Sequence, residues 1–164
     1  MAEANDLPDA LPEVAVAKNK DIKGGRFLII VETPLTVRYA ETDRMGIVHH
    51  SNYPIWFEAG RMEFFQKIGA SYTEIESQGF LLPLIHFQYD FKQAIRFGEK
   101  IIVRTNLTKI SSVKSEFNYE IYQSDNEKLL SSGKTIHAWT NLNLKPVIIY
   151  EALPRLYELL QQAL

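Results

Sequence analysis

The sequence predicts an α+β domain in which one antiparallel sheet curls around one long helix. Three observations predict it. A strongly apolar stretch with helix-type boundaries runs over residues 52–68. Beyond Pro83 the apolar residues recur at period two, in segments separated by turn signals. The order is strand, long helix, short helix, four long hairpin-spaced strands and a terminal helix, with no internal repeat.

Residues 1–25 stand apart from the rest. They carry Pro8, Pro12, Gly24 and Gly25, scattered charge and no aromatic residue. Such a segment buries little surface, so a disordered or loosely docked arm is expected, with a partner-binding arm or a fusion remnant as other readings. Residues 26–164 then form a single domain. Over 26–40 two apolar pieces, Phe27–Val31 and Leu35–Tyr39, are divided at Pro34. Leu35, Val37 and Tyr39 alternate with Thr36, Arg38 and Ala40, as a half-buried strand requires.

For the long helix, Asn52 is the expected N-cap, Pro54 fits the first turn and Gly69 is the stop. Tyr53, Trp56, Phe57, Phe64, Phe65 and Ile68 cover more than one stripe, which predicts a helix enclosed by other structure. Gly60 within it costs ~1 kcal/mol relative to Ala, a cost that close approach of a neighbouring backbone would explain. Ser71-Tyr72-Thr73-Glu74 has the capping-box pattern and opens a short helix ended by Gly79.

Next, Ile85, Phe87, Tyr89, Phe91, Ile95 and Phe97 share one face, opposite His86, Gln88, Asp90, Lys92 and Arg96. Gly98-Glu99 marks a turn before Ile101, Val103, Thr105 and Leu107. Phe117, Tyr119 and Ile121 alternate with charged and polar residues up to a turn at Asp125-Asn126. Ile136, Ala138, Thr140 and Leu142 are expected to form the last strand. Leu153, Leu156, Tyr157, Leu160 and Leu164 have helical spacing, with Pro154 near the first turn.

Composition narrows the function. A chain of 164 residues builds a real core without staples. The net charge is −2 with both signs interleaved, so no basic stripe speaks for nucleic acid. The absence of Cys removes disulfides, thiolate metal sites and a Cys nucleophile together. No apolar run approaches the ~20 residues of a membrane span. The N-terminus lacks the basic start and apolar middle of a secretory signal, and a cytoplasmic protein is expected.

The most informative segment is Tyr39-Ala40-Glu41-Thr42-Asp43-Arg44-Met45-Gly46-Ile47-Val48-His49-His50-Ser51-Asn52-Tyr53, leading into Pro54-Ile55-Trp56-Phe57-Glu58-Ala59-Gly60-Arg61. A loop carboxylate precedes the start of the apolar helix by about seven residues. That brings a base close to unpaired backbone N–H groups, which is what hydrolysis of an activated acyl group needs.

These residues resemble those of the hotdog-fold acyl-CoA thioesterases, in the branch of 4-hydroxybenzoyl-CoA thioesterase and the small thioesterases of the Tol-Pal envelope system. The match rests on Glu41-Thr42-Asp43, Gly46-Ile47-Val48, His50, Asn52-Tyr53 and Phe57-Glu58 with Arg61. Element order extends it over roughly residues 33–164, and it is sharp over 39–61. The resemblance implies a sheet wrapped around the helix, a homodimer or homotetramer with active sites between subunits, and an acyl-CoA substrate. Coenzyme A is then part of the substrate, and no cofactor is expected. The family's essential carboxylate falls on Asp43, and its carbonyl-polarising backbone N–H falls near His50.

Asp43 is therefore the expected base, activating water, or nucleophile, forming a mixed anhydride. The competing reading is a loop Asp that accepts backbone hydrogen bonds. Gly46 fits a positive φ or close approach of a ligand, and equally an ordinary turn. His50, Ser51 and Asn52 sit where main-chain N–H groups and the helix dipole hold an oxyanion. Tyr53, Trp56 and Phe57 are candidates for lining the acyl tunnel, with plain core as the alternative. Glu58 is a secondary candidate acid, since another hotdog branch uses this helix, though a helix-face ion pair with Arg61 is simpler. His49 reads as an ordinary histidine. No metal site is expected, because adjacent His49 and His50 diverge on regular structure.

No Gly-x-Ser-x-Gly elbow or phosphate-cradling glycine loop is present. Lys92, Arg96 and Lys134 are candidates for the coenzyme A phosphates only as basic residues on expected strands. Acyl carrier protein is the alternative thiol carrier. A non-catalytic hotdog protein that binds acyl thioesters or a partner is the reading from another class, and Asp43 argues against it.

Overall fold

The computed structural model describes residues 28–164 and the backbone of a short strand, β1 (Val16–Lys18). Apart from β1, the arm expected over 1–25 lies outside the described residues, as does Phe27. The larger sheet contains β1, β2 (Ile29–Thr36), β4 (Leu84–Phe91), β5 (Lys100–Ile110), β6 (Lys114–Gln123) and β7 (Leu129–Ala138). Its order is β1-β2-β5-β6-β7-β4, and every neighbouring pair is antiparallel. A two-stranded patch pairs β3 (Phe80–Leu81) with β8 (Thr140–Asn141). Among the described residues no helix is long and apolar enough to cross a membrane.

The expected break at Pro34 does not occur: β2 runs through it, with Pro34 opposite Ile102. On the other side, among the described residues, β1 pairs with Ile29–Val31 and not with Pro34. Proline is tolerated in a strand where its missing N–H points away from the paired neighbour. Tyr39 is not a strand residue. It opens a 3-10 turn, Tyr39–Glu41, and is 77% exposed.

The long helix, α1, spans Asn52–Lys67. Its N-cap is Ser51 rather than Asn52, with no side-chain capping bond. Its buried residues (Tyr53, Trp56, Phe57, Gly60, Arg61, Phe64 and Phe65) repeat at three and four, so they form one broad face. The expectation of an enclosed helix is corrected accordingly: Ile55 and Met62 on the other side are exposed. Gly60 does mark a close approach, but to side chains. A Cβ there would collide with Thr105 Oγ1 and lie 3.1 Å from Val103 Cγ1. At Gly69 the backbone takes φ +85° and ends the helix. The next helix, α2 (Tyr72–Ser77), is capped by Ser71, whose hydroxyl accepts from the Glu74 N–H at 3.1 Å.

Ile101, Val103 and Leu107 of β5, with Phe117, Tyr119 and Ile121 of β6, face α1 and are fully or nearly fully buried, as their alternation predicts. Phe57 stacks on Tyr119 with centroids 4.4 Å apart. β4 is shorter than expected. It ends at Phe91, a bulge lies between Leu84 and His86, Ile85 and Phe97 are exposed, and Ile95 is buried from a loop.

On β7 the alternation chose the wrong residues: Ser131, Thr135 and His137 are buried, whereas Ile136 and Ala138 are less so. The strand ends at Ala138, and Leu142 is 66% exposed. After the short α3 (Ile149–Ala152), α4 (Pro154–Gln162) starts with proline in its first turn and buries Leu156 and Leu160.

Candidate active site

The loop between the 3-10 turn and α1 is held by its own backbone. Thr42 bridges Val48, Asp43 N–H donates to Ile47 C=O at 2.9 Å, and Gly46 N–H donates to Asp43 C=O at 3.0 Å. The Asp43 carboxylate accepts from the Met45 N–H at 2.8 Å, an Asx turn. Gly46 has φ +72°, which explains glycine at this point. The rest of the molecule clamps the loop: Val48 N–H donates to Ile95 C=O at 2.8 Å, and His49 N–H donates to Glu41 C=O at 2.8 Å.

Glu41 is the hub of this arrangement and is only 4% exposed. Its carboxylate accepts from the Arg38 N–H at 2.7 Å, Arg38 Nη2 at 3.0 Å and Trp56 Nε1 at 3.0 Å. Burial alone would raise this carboxyl. The Arg38 main-chain and side-chain bonds, together with Trp56, outweigh it and hold the group below its ordinary value. Asn52 Nδ2 donates to Glu41 C=O at 2.8 Å and His49 C=O at 3.2 Å, tying the same loop to the first turn of α1.

Asp43, His50 and Tyr53 line one open cavity of about 390 Å³, together with Ile47, Phe91 and Ile95 among others. The His50 N–H donates to nothing among the described residues, whereas its carbonyl accepts from Tyr89 OH at 3.2 Å. The ring of Tyr53 packs on Tyr89 and Phe91, with centroids 5.6 and 5.0 Å away. Burial, then the nearby Tyr89 and Glu99, pushes the Tyr53 hydroxyl up to about 12, so it stays protonated.

Not every expected residue joins them. Trp56 turns to Glu41, and Phe57 is sealed between Tyr119 and Gly133, so both are core and neither lines this cavity. The side chains of Ser51 and Asn52 also serve the loop: Ser51 Oγ lies 2.8 Å from His49 Nδ1. Glu58 is 65% exposed, lies 3.8 Å from Arg61 as a helix-face pair, and lines a different cavity. Of the three basic candidates Lys92 lines the Asp43 cavity, while Lys134 pairs with Glu116 at 3.8 Å on the sheet. Sequence reasoning missed Tyr89 and the depth of Glu41's engagement. Their distance in sequence from His50 and Trp56 hides both contacts.

Comparison with known proteins bears on what this loop and helix do. Residues 37–162 match the model of the thioesterase-like superfamily. The Bacillus subtilis (strain 168) protein named "Putative acyl-CoA thioesterase YneP" is 32% identical over 120 residues, 73% of this chain and 87% of that protein. The Arabidopsis thaliana chloroplastic acyl-acyl carrier protein thioesterase ATL3 is 28% identical over 130 residues, 79% of this chain and 68% of that protein. The structure of DHNA-CoA thioesterase from Staphylococcus aureus superposes with a TM-score of 0.78 at 32% identity, covering 81% of this chain and 89% of that one. With the antiparallel sheet on α1 and the Asp43 loop at its mouth, these matches identify the chain as a member of the thioesterase-like superfamily, a thioester hydrolase of hotdog fold.

Proposed function

We propose that this protein hydrolyses an acyl-CoA to the free acid and coenzyme A, with Asp43 as base or nucleophile and the His50 N–H as oxyanion donor. The observation that carries this is that Asp43 and His50, whose N–H is unengaged among the described residues, line one cavity at the mouth of α1. The Asp43 carboxylate either takes a proton from water, which adds to the thioester carbonyl, or adds itself and is later freed by water. In both routes the carbonyl oxygen gains negative charge, and an N–H at a helix N-terminus stabilises it. The carbon–sulfur bond then breaks, and the coenzyme A thiolate takes up a proton. Lys92 at the same cavity is the candidate to meet a phosphate of the coenzyme A tail. The motif around Asp43 supports the branch of 4-hydroxybenzoyl-CoA and Tol-Pal-associated thioesterases.

Assembly as a homodimer follows the same reading. β4 is an edge strand, and its Leu84, Ile85 and Phe91 are exposed, as are Ile55 and Met62 of α1. A second copy paired along β4 would cover apolar surface and an open strand edge. Acyl carrier protein as the thiol carrier is the second reading, favoured by the likeness to a protein named for that activity.

The test is coenzyme A release from short, long and aromatic acyl-CoAs by wild type and Asp43→Asn. Asn keeps the Met45 acceptor, so the fold should persist while turnover falls by 10²-fold or more. Wild type inactive on every acyl-CoA but active on acyl carrier protein thioesters would favour the second reading.

A further inference from the structure

The peptide group between His49 and His50 carries the N–H proposed as oxyanion donor, and its other end is held by a side chain. A trans peptide is planar, with its N–H and C=O pointing in opposite directions, so fixing the carbonyl fixes the line of the N–H. His49 C=O accepts from the Asn52 N–H at 3.0 Å and from Asn52 Nδ2 at 3.2 Å. Asn52 Nδ2 also donates to Glu41 C=O at 2.8 Å. Both partners are carbonyls, which can only accept, so the amide nitrogen of Asn52 must face them and both its hydrogens are used.

Neither carbonyl needs this side chain in order to be satisfied. Glu41 C=O already accepts from the His49 N–H at 2.8 Å, and His49 C=O from the Asn52 N–H. Asn52 is half-buried and fills no core position. What its amide adds is a second anchor, a bridge from the 3-10 turn to the mouth of α1 across the loop that carries Asp43. The next carbonyl is anchored as well, with His50 C=O accepting from Tyr89 OH at 3.2 Å. Between these two anchors lies the His50 N–H, which donates to nothing among the described residues.

We infer, on the basis of the proposed thioesterase activity, that Asn52 is a positioning residue for the oxyanion donor. Its amide aims the His50 N–H at the thioester carbonyl oxygen and strengthens it. The aim comes from the plane of the peptide, which two bonds to His49 C=O hold more firmly than one. The strength comes from polarisation: donors on a carbonyl draw electron density through the peptide and make its N–H a better donor. A donor fixed before the substrate arrives needs no reorganisation when negative charge develops on the oxygen. The same bridge sets the spacing between donor and base. Glu41 lies two residues before Asp43, and one amide ties its carbonyl to the peptide that carries the donor. Alanine at position 52 keeps the main-chain bond to His49 C=O but removes the second one, and with it the tie to Glu41.

The experiment measures steady-state hydrolysis of acyl-CoAs by wild type, Asn52→Ala, His50→Pro and the double variant. Asn52→Ala should lose about 10- to 100-fold in kcat, the scale on which small misplacements of a catalytic group are felt. Its KM should stay within about threefold of wild type, because the lost interaction belongs to the transition state. In the His50→Pro background the N–H is gone, so Asn52→Ala should cost less than about threefold more. Two acyl-CoA analogues that resist hydrolysis give a readout besides turnover. A ketone, which keeps the carbonyl oxygen, should bind Asn52→Ala about three- to tenfold more weakly than wild type. A thioether, which lacks that oxygen, should bind both equally. If a thermal melt shows Asn52→Ala unfolded, Asn52→Asp takes its place: its charge suits a helix N-terminus, it offers neither carbonyl a donor, and the same losses are expected. Unchanged kcat, full additivity in the double variant, or equal weakening of ketone and thioether would overturn the inference alone, since the side chain would then hold the loop without aiming the donor. Wild type inactive on every thioester would overturn the thioesterase reading itself, and this inference with it.

Discussion

The indole Nε1 of Trp56 donates to Glu41 Oε1 at 3.0 Å, joining the second turn of α1 to the residue two positions before Asp43. Both partners are buried. Hydrogen bonds to a charged group are worth ~1.5–3 kcal/mol, so Trp56→Phe should destabilise by about that much in urea denaturation. Glu41→Gln should cost at least as much at neutral pH, because its amide turns a donor toward the donors of Arg38 or Trp56. The carboxyl is held below its ordinary 4.5, so its contribution is present above that value. It is lost as pH falls through the lower folded value, and the gap between wild type and Glu41→Gln should close there.

His50→Ala should hydrolyse acyl-CoA within about tenfold of wild type, since the proposed oxyanion donor is main chain and Ala retains it. His50→Pro deletes that N–H. Loss of one oxyanion donor costs ~2.7–4 kcal/mol, so kcat should fall 10²–10³-fold. Steady-state kinetics on both variants, with circular dichroism to verify folding, separates the side-chain role from the main-chain role.

Gly60→Ala should destabilise by about 1–3 kcal/mol, because the new methyl meets Thr105 Oγ1 in a closed core. Among the described residues the buried Thr105 hydroxyl has no hydrogen-bond partner. Thr105→Ala removes both the obstacle and an unsatisfied group, so the double variant should recover part of the loss. Chemical denaturation of the single and double variants measures this coupling.

Where apolar alternation and solvent exposure coincide, the fold was legible. Phe117, Tyr119 and Ile121 on β6 and Leu156 and Leu160 on α4 were found on that basis. The alternation failed on β7, where Thr135 and His137 occupy the core face because hydrogen bonds to each other, to Tyr119 OH and to Leu82 C=O satisfy them. Pattern reading scores polar residues as outward and cannot see partners distant in the chain. It failed in the opposite sense on α1, whose aromatics suggested burial all round although the sheet covers one face. The turn at Asp43, the positive φ of Gly46 and the start of α1 are local features and were legible as structure. The expectation that Trp56 and Phe57 face substrate was not secure, because an apolar residue on a helix reads the same whether it meets ligand or core.

His137 gives the fold a predictable acid limit. It is fully buried, and burial first, then the charge of Arg61, lowers its imidazole from 6.5 to about 4. The folded state thus holds this ring neutral where the unfolded chain protonates it. Between 6.5 and about 4 the unfolded state binds more protons, so stability rises with pH across that window and is lost as pH falls through it. The full gap corresponds to about 3 kcal/mol. His137→Gln has no such proton to take up, and its amide can still donate to Leu82 C=O and accept from Thr135. Its denaturation free energy should therefore fall by about 3 kcal/mol less than wild type's on going from pH 7 to pH 4. Equal slopes for the two proteins across this range would mean that the ring takes up its proton in the folded state as well, with Thr135 Oγ1, 2.9 Å from Nε2, as the acceptor.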